Sequence, residues 1–326
     1  MFCPNCGSWN RSALRTCARC TRPLPAVRGP SDIPDALTTA LRHALGARYH
    51  IVRRVGQGGM AEVYEARHHR LGQRLAVKVL HAHLARDAEM RTRFRREAEA
   101  ASRLAHPLIC APSDYGESGE HAFLVQPFLG GGCLAGQFNR AGHIPPGRMA
   151  RIAAQVATAL DYAARHGVIH RDVKPDNVLF DDDDNAILTD FGIASARYQG
   201  RLTVGGRAMG TPHYMAPEQA MGRVVDARSD LYAVGVMLYE CLAGVPPFDG
   251  ADGYAVAHQH VHDAPRPLHT IAPTVPAPLA ALAMRCLEKD PAARPARGHD
   301  LADALYAWLA TQGGGDGAAR VARPVA

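Results

Sequence analysis

No apolar run in this 326-residue sequence is long enough to cross a bilayer, so no transmembrane helix is expected. The longest candidate, Leu231 to Val245, is too short, carries Glu240, and reads as a buried core helix. Met1 leads straight into a cysteine pair without the basic and apolar leader of a signal peptide, so none is expected. No internal repeat is visible, which argues against a solenoid. Charge imbalance is small: 37 Lys and Arg against 31 Asp and Glu leave +6, which needs no nucleic-acid partner to explain it. The basic cluster Arg86, Arg91, Arg93, Arg95 and Arg96 reads as an exposed helix face. Four of the eight cysteines (Cys110, Cys133, Cys241, Cys286) have no ligand spacing and read as reduced, mostly buried thiols. What the chain does have is 47% hydrophobic residues, enough for a full core.

Chemistry concentrates in HRDVKPDN at His170 to Asn177, followed by DFG at Asp190 to Gly192 and APE at Ala216 to Glu218. Two Asp, one Asn and one Lys at this spacing suit one task, which is to hold a metal-bound triphosphate before a hydroxyl and take the proton from that hydroxyl. Upstream, Val55 to Tyr64 carries Gly56 and Gly58, which let backbone N–H groups approach phosphate, with Ala61 where a third glycine would help. Residues 49–55 and 62–67 read as strands around this loop, and Ala76-Val77-Lys78-Val79 reads as a third. Strand, glycine loop, strand, Lys-bearing strand is not the strand-loop-helix order of a dinucleotide or P-loop fold.

These motifs, in this order, resemble the protein kinase superfamily, in the style of bacterial, eukaryotic-like Ser/Thr kinases. The resemblance covers about residues 49–311. It implies Asp172 as base, Lys174 as neutraliser of the moving phosphoryl group, Asn177 and Asp190 as Mg²⁺ (or Mn²⁺) ligands, and Lys78 on the ATP phosphates. Lys78 needs a partner in a buried strand, and Glu97 is chosen from the amphipathic stretch 87–104. Glu99 lies ~200° around the helix and cannot share that face. His121 to Leu129 becomes the hinge strand, with Gln126 as an unusually polar gatekeeper. Pro127 supplies a carbonyl and Leu129 an N–H to adenine, between Val55, Val63, Ala76 and Leu179. Arg171 makes this an Arg-Asp kinase, whose loop arginine a phosphate on Thr203 would neutralise, with Ser195 less favoured. Thr211 bridges Asp172 and Lys174, Glu218 pairs with Arg294, and Asp230 begins the central helix and holds the catalytic-loop backbone. Arg148, His258, His260 and His262 read as lobe-surface residues.

Cys3-Pro4-Asn5-Cys6 and Cys17-Ala18-Arg19-Cys20 form a CxxC…CxxC pair suited to tetrahedral Zn²⁺, as in a small zinc ribbon. Two disulfides or an iron–sulfur site are the alternatives, and an intracellular, ATP-using protein favours the metal. Arg11, Arg15, Arg19 and Arg22 would offset the charge of the zinc centre.

The reading is therefore an α+β, two-lobed kinase fold with a small N-terminal zinc ribbon. Residues 1–24 form the ribbon and 25–48 a linker with a short helix over 36–46. Residues 49–129 and 130–311 are the two lobes, and 312–326 a disordered tail. The expected activity is transfer of the γ-phosphoryl group of Mg-ATP to Ser and Thr hydroxyls, the chain's own activation segment included. The alternatives are a nucleotide-binding pseudokinase scaffold and a zinc-ribbon adaptor. Protein substrates, a homodimer and a partner of the ribbon are the expected associations, in the cytoplasm and away from membrane.

Overall fold

A computed structural model describes residues 35–58, 60–191 and 212–312, with Thr16, Arg22 and Pro23, and leaves the side chains of Asp35 and Glu97 undescribed. The four cysteines of the CxxC pair, Gly59, the stretch with Ser195, Thr203 and Thr211, and the tail expectation over 313–326 lie outside the described residues.

The small lobe runs α1 (Asp35–Leu45), a 3-10 turn (Gly46–Arg48), β1 (Tyr49–Gln57), β2 (Ala61–His68), β3 (Arg74–Leu80), α2 (Ala82–Ala85), α3 (Ala88–Ala101), β4 (Asp114–Ser118) and β5 (His121–Pro127). Its strands form one antiparallel sheet in the order β1-β2-β3-β5-β4. Side chains alternate across a strand, so each face has its own layer. Leu75, Val77, Val79, Phe123 and Val125 join Tyr64 and Ala66 on the outer face, and Leu80, Ala122 and Leu124 pack with Phe94 and Ala98 of α3 on the inner face. Asp87 caps α3, its carboxylate accepting from Glu89 N at 2.8 Å.

The sequence assigns α1 to the connection before the lobes, but its stripe of Leu37, Ala40, Leu41, Ala44 and Leu45 covers the outer sheet face. Gly116 in β4 makes room for it: a Cβ there would meet Leu45 Cδ2 at 2.8 Å. Arg48 and Tyr49 both bond Asp114 of β4, at 2.8 and 3.3 Å, and fix the turn into β1. The packed small lobe thus includes α1. Leu41→Ala is expected to cost about 2–5 kcal/mol of stability in denaturant unfolding. An unchanged midpoint would mean that α1 is peripheral.

The large lobe runs α4 (Leu134–Ala141), α5 (Pro146–Arg165), a 3-10 turn (Pro175–Asn177), β6 (Val178–Phe180), β7 (Ala186–Leu188), α6 (Pro217–Ala220), α7 (Ala227–Ala243), α8 (Gly253–His262), α9 (Leu268–Ile271), α10 (Ala277–Cys286), a second 3-10 turn (Pro291–Ala293) and α11 (Gly298–Gln312). The core helix expected over 231–245 is α7, buried from Ser229 to Leu242. It starts earlier than Asp230, because Asp226 caps it through Arg228 N at 2.8 Å, and it ends at left-handed Gly244. Gly235 lets α7 and α10 cross closely, since a Cβ there would sit 2.5 Å from Cys286 Cβ. All four described cysteines are buried free thiols.

One surface expectation fails. His260 is fully buried, its Nδ1 2.9 Å from Tyr232 Oη and its ring against Phe248, and burial pushes its pKa down to about 3. His258 and His262 are exposed, as expected. They lie four residues apart on one face of α8, while His260 lies ~200° from either.

Candidate active site

The catalytic loop is hung from the core. His170 is fully buried, and its Nε2 meets Thr189 O at 2.9 Å. The Asp230 carboxylate accepts from His170 N at 2.8 Å and Arg171 N at 2.7 Å. Burial pushes the Asp230 carboxyl up, against the pull of His170 and these two N–H groups toward the ionised form. Arg171 takes a left-handed backbone (φ 65°), uncommon without glycine, and Gln219 Nε2 donates to its carbonyl at 3.2 Å. This sets Asp172 at the mouth of the loop. Lys174 Nζ donates to Asp172 Oδ2 at 2.7 Å, and Asn177 Nδ2 donates to Asp172 O at 2.7 Å and Oδ2 at 3.1 Å. Asn177 thus commits its amide hydrogens to Asp172, leaving Oδ1 as its acceptor.

Across the cleft, Lys78 Nζ lies 2.9 Å from Asp190 Oδ1, so side chains from β3 and from the segment after β7 meet. Asp190 is left-handed (φ 66°), and Phe191 behind it packs on His170 at a ring separation of 4.6 Å. Burial raises the Asp190 carboxyl, but Lys78, with Lys174 and His170 adding, holds it below the usual carboxylate range. Glu97 lies in α3 with its side chain outside the described residues, so the expected Lys78–Glu97 pair is not described. Glu99 is exposed and pairs with Arg95 at 3.8 Å.

The cleft-facing surface of the sheet follows from its register. Val63 pairs with Lys78 and Ala76 with Gln126, so these four share the inner face. Val55 falls at a register shift opposite β2. Val55, Val63 and Leu179 are half-buried, while Ala76 is buried. Gly56 pairs with Val63, and the turn closes through Gly58 N to Ala61 O at 2.8 Å. Pro127 ends β5 opposite Leu75, and Leu129 follows at the start of the link. Gly131 packs on the large lobe, its N–H donating to Phe180 O at 3.1 Å, and a Cβ there would lie 2.7 Å from that oxygen. The structure therefore brings together Lys78, Asp172, Lys174, Asn177 and Asp190 beneath an apolar strip.

Two further groups frame the site. Glu218 and Arg294 are buried and bidentate, at 2.8 and 2.9 Å, as expected. Arg171 Nε is buried and has no hydrogen-bond partner among the described residues. Sequence reading missed Thr189, whose N–H, carbonyl and hydroxyl all take part in the site, and the anchoring role of His170. The His of HRDVKPDN was a signal for the second, and none pointed to the first.

The donor set suits a hard divalent cation. An Asn carbonyl oxygen and a carboxylate held ionised are oxygen ligands of the kind Mg²⁺ takes.

Comparison with known proteins agrees. A family model described as "Protein kinase domain" matches residues 49–306. The chain is 42% identical over 282 residues to the "Serine/threonine-protein kinase pkn2" of Myxococcus xanthus, an overlap of 84% of this chain and 33% of that protein. It is 42% identical over 253 residues to the "Serine/threonine-protein kinase PknB" of Mycolicibacterium smegmatis, covering 76% of this chain and 40% of that one. The chain thus spans between a third and two fifths of these relatives' length. Among solved structures, the Mycobacterium tuberculosis PknI kinase domain superposes with a TM-score of 0.65 at 34% identity, covering 80% of this chain and 96% of that domain.

Proposed function

The chain belongs to the protein kinase family, and from that premise we propose that it transfers the γ-phosphoryl group of Mg-ATP to Ser and Thr hydroxyls of proteins, its own activation segment among them. One observation carries the reading: Lys78 meets Asp190 at 2.9 Å, Asp172 takes Lys174 and Asn177 at 2.7 and 3.1 Å, and the Thr189 N–H, next to Asp190 in the chain, donates to Asn177 O at 3.0 Å and ties the two sets together. Asp172 accepts the proton of the attacking hydroxyl as its oxygen bonds to the γ-phosphorus and the bond to the β-phosphate oxygen breaks. Lys174, already beside Asp172, moves onto the charge of the transferring group, and Lys78 releases Asp190 for the α- and β-phosphates. Asn177 Oδ1 and Asp190 would hold Mg²⁺, which would supply neutralising charge for the phosphate oxygens. The Pro127 carbonyl and the Leu129 N–H take the adenine edge, with Val55, Val63, Ala76 and Leu179 about its faces. Positioning and charge neutralisation supply most of the acceleration.

Arg171 supports regulation by phosphate at Thr203, because a buried guanidinium nitrogen without a partner among the described residues is favoured by an added anion. For the amino-terminal cysteines we keep the Zn²⁺ reading. The antiparallel bridge between Thr16 and Pro23, which flank Cys17 and Cys20 in the sequence, supports it. A homodimer, a partner for the zinc unit and a cytoplasmic place complete the proposal. The last is supported by ATP as substrate and by the four free buried thiols.

Phosphosite mass spectrometry of phosphatase-treated protein, incubated with Mg-ATP and an added Ser/Thr protein substrate, tests this. Label on Ser or Thr, including Thr203, is the expected result. No label on any residue of either protein would favour a scaffold that binds nucleotide without turnover.

A further inference from the structure

Gln126 is polar where an apolar gate would serve the nucleotide pocket equally well, and it is buried, 8% exposed. It lines a small cavity with Ala98, Ala101, Leu124 and Phe191, a mostly apolar wall that Cys110 and Asp190 also border. A buried carboxamide in such surroundings needs a partner. Gln126 Nε2 finds one across the cleft, donating to Thr189 Oγ1 at 3.2 Å, and Thr189 is itself only 3% exposed.

Thr189 is the residue before Asp190, and it is held from three directions. Its N–H donates to Asn177 O at 3.0 Å, its carbonyl meets His170 Nε2 at 2.9 Å, and its hydroxyl takes the Gln126 bond. The first two anchors come from the large lobe and the third from β5 of the small lobe. Immediately after it the chain turns left-handed at Asp190, so the placing of that carboxylate depends on how residue 189 is fixed. The bonds from Lys78 to Asp190 and from Gln126 to Thr189 therefore tie the small lobe to this stretch, and the Cys110 thiol also meets the Thr189 side chain. The first is given up when Lys78 turns to phosphate, whereas the second engages no group the nucleotide needs.

We propose that Gln126 is a positioning residue for the metal ligand Asp190, acting through the Thr189 hydroxyl, and that it keeps Asp190 in register with the small lobe once Lys78 is occupied. The inference rests on the assignment of Asp190 as a metal ligand.

The test compares Gln126→Leu, Thr189→Val, Thr189→Ser and the Gln126→Leu/Thr189→Val pair with wild type. Mn²⁺ binding is read by electron paramagnetic resonance in the presence of a non-hydrolysable ATP analogue, and analogue affinity is read separately in EDTA. Loss of one neutral buried hydrogen bond should weaken Mn²⁺ binding roughly three- to tenfold in Gln126→Leu and in Thr189→Val. Metal-free analogue affinity should not change in Thr189→Val, whose side chain lies outside the strand strip that faces the cleft. Thr189→Ser retains the acceptor and should bind Mn²⁺ as wild type does. The pair should lose no more than the worse single variant, since both remove the same bond. Additive losses, a Thr189→Ser variant as weak as Thr189→Val, or an equal loss of metal-free affinity in Thr189→Val would overturn the inference. If Gln126→Leu does not fold, the Thr189→Val and Thr189→Ser comparison decides alone. Wild-type protein that binds analogue but no Mn²⁺ would instead remove the metal-ligand assignment beneath it.

Discussion

Asp172→Asn should lower the rate of phosphoryl transfer by about two to four orders of magnitude, the range expected when a general base is removed. The amide keeps the size of the carboxylate and an oxygen that can accept from Lys174 Nζ and Asn177 Nδ2, the contacts now at 2.7 and 3.1 Å. It cannot serve as a base at neutral pH. Nucleotide affinity should hold, because Lys78, Asp190 and the β5 strip are untouched by the change. Radiolabel transfer from γ-labelled ATP and equilibrium binding of an ATP analogue separate the two effects. Wild-type labelling by the variant would remove Asp172 from the base role, and a parallel loss of nucleotide affinity would show that it acts in binding.

Glu218→Ala should be the most damaging single change outside the chemistry, at about 3–5 kcal/mol of stability, because it strands a buried charge. The Arg294 side chain is fully buried, and its guanidinium makes two bonds to Glu218. Its remaining partners are the backbone carbonyls of Arg228, Lys289 and Glu288 and the Tyr232 ring beneath it, none of which carries the compensating charge. Denaturant unfolding measures the loss, and a cost under about 1 kcal/mol would mean that solvent reaches the pair. The same pair predicts acid lability. Burial raises the Glu218 carboxyl, but Arg294 and Ser229 hold it below its ordinary value. A folded pKa below the unfolded one gives stability that is present above the unfolded pKa and lost as pH falls through the folded one. The wild-type unfolding midpoint should therefore decline below about pH 4.5. That part of the decline should be missing in Glu218→Gln.

How far these features could be read in the sequence depended on how local their signals are. The catalytic loop and its metal-ligand segment are short contiguous strings, so their residue types and spacing were visible at once. Strands β1 to β3 and the α3 helix followed from period and turn residues, to within a few positions at each end. The Glu218–Arg294 pair spans 76 positions, and only the kinase resemblance suggested it. The Gln126–Thr189 bond spans 63 positions, and there the polarity of Gln126 was visible while its partner was not. The apolar stripe of α1 was equally plain, but the face it covers is assembled from β1 to β5, and no local pattern shows that such a face needs a cover. His260 failed differently. Three histidines at alternate positions look uniformly polar, yet once they lie on a helix the middle one must face away from the outer two. The helix period would have turned it inward had α8 been recognised.

The account comes down to whether Lys78, Asp172, Asn177 and Asp190 gather around one metal–nucleotide complex. A crystal structure with a non-hydrolysable ATP analogue and Mn²⁺, phased on the metal's anomalous signal, measures this directly. The predicted result is a metal ion on Asn177 Oδ1 and Asp190 at roughly 2.0–2.3 Å, with Lys78 on the α- and β-phosphates and the γ-phosphate facing Asp172. A metal ion and triphosphate bound elsewhere, with Lys78 still on Asp190, would contradict it.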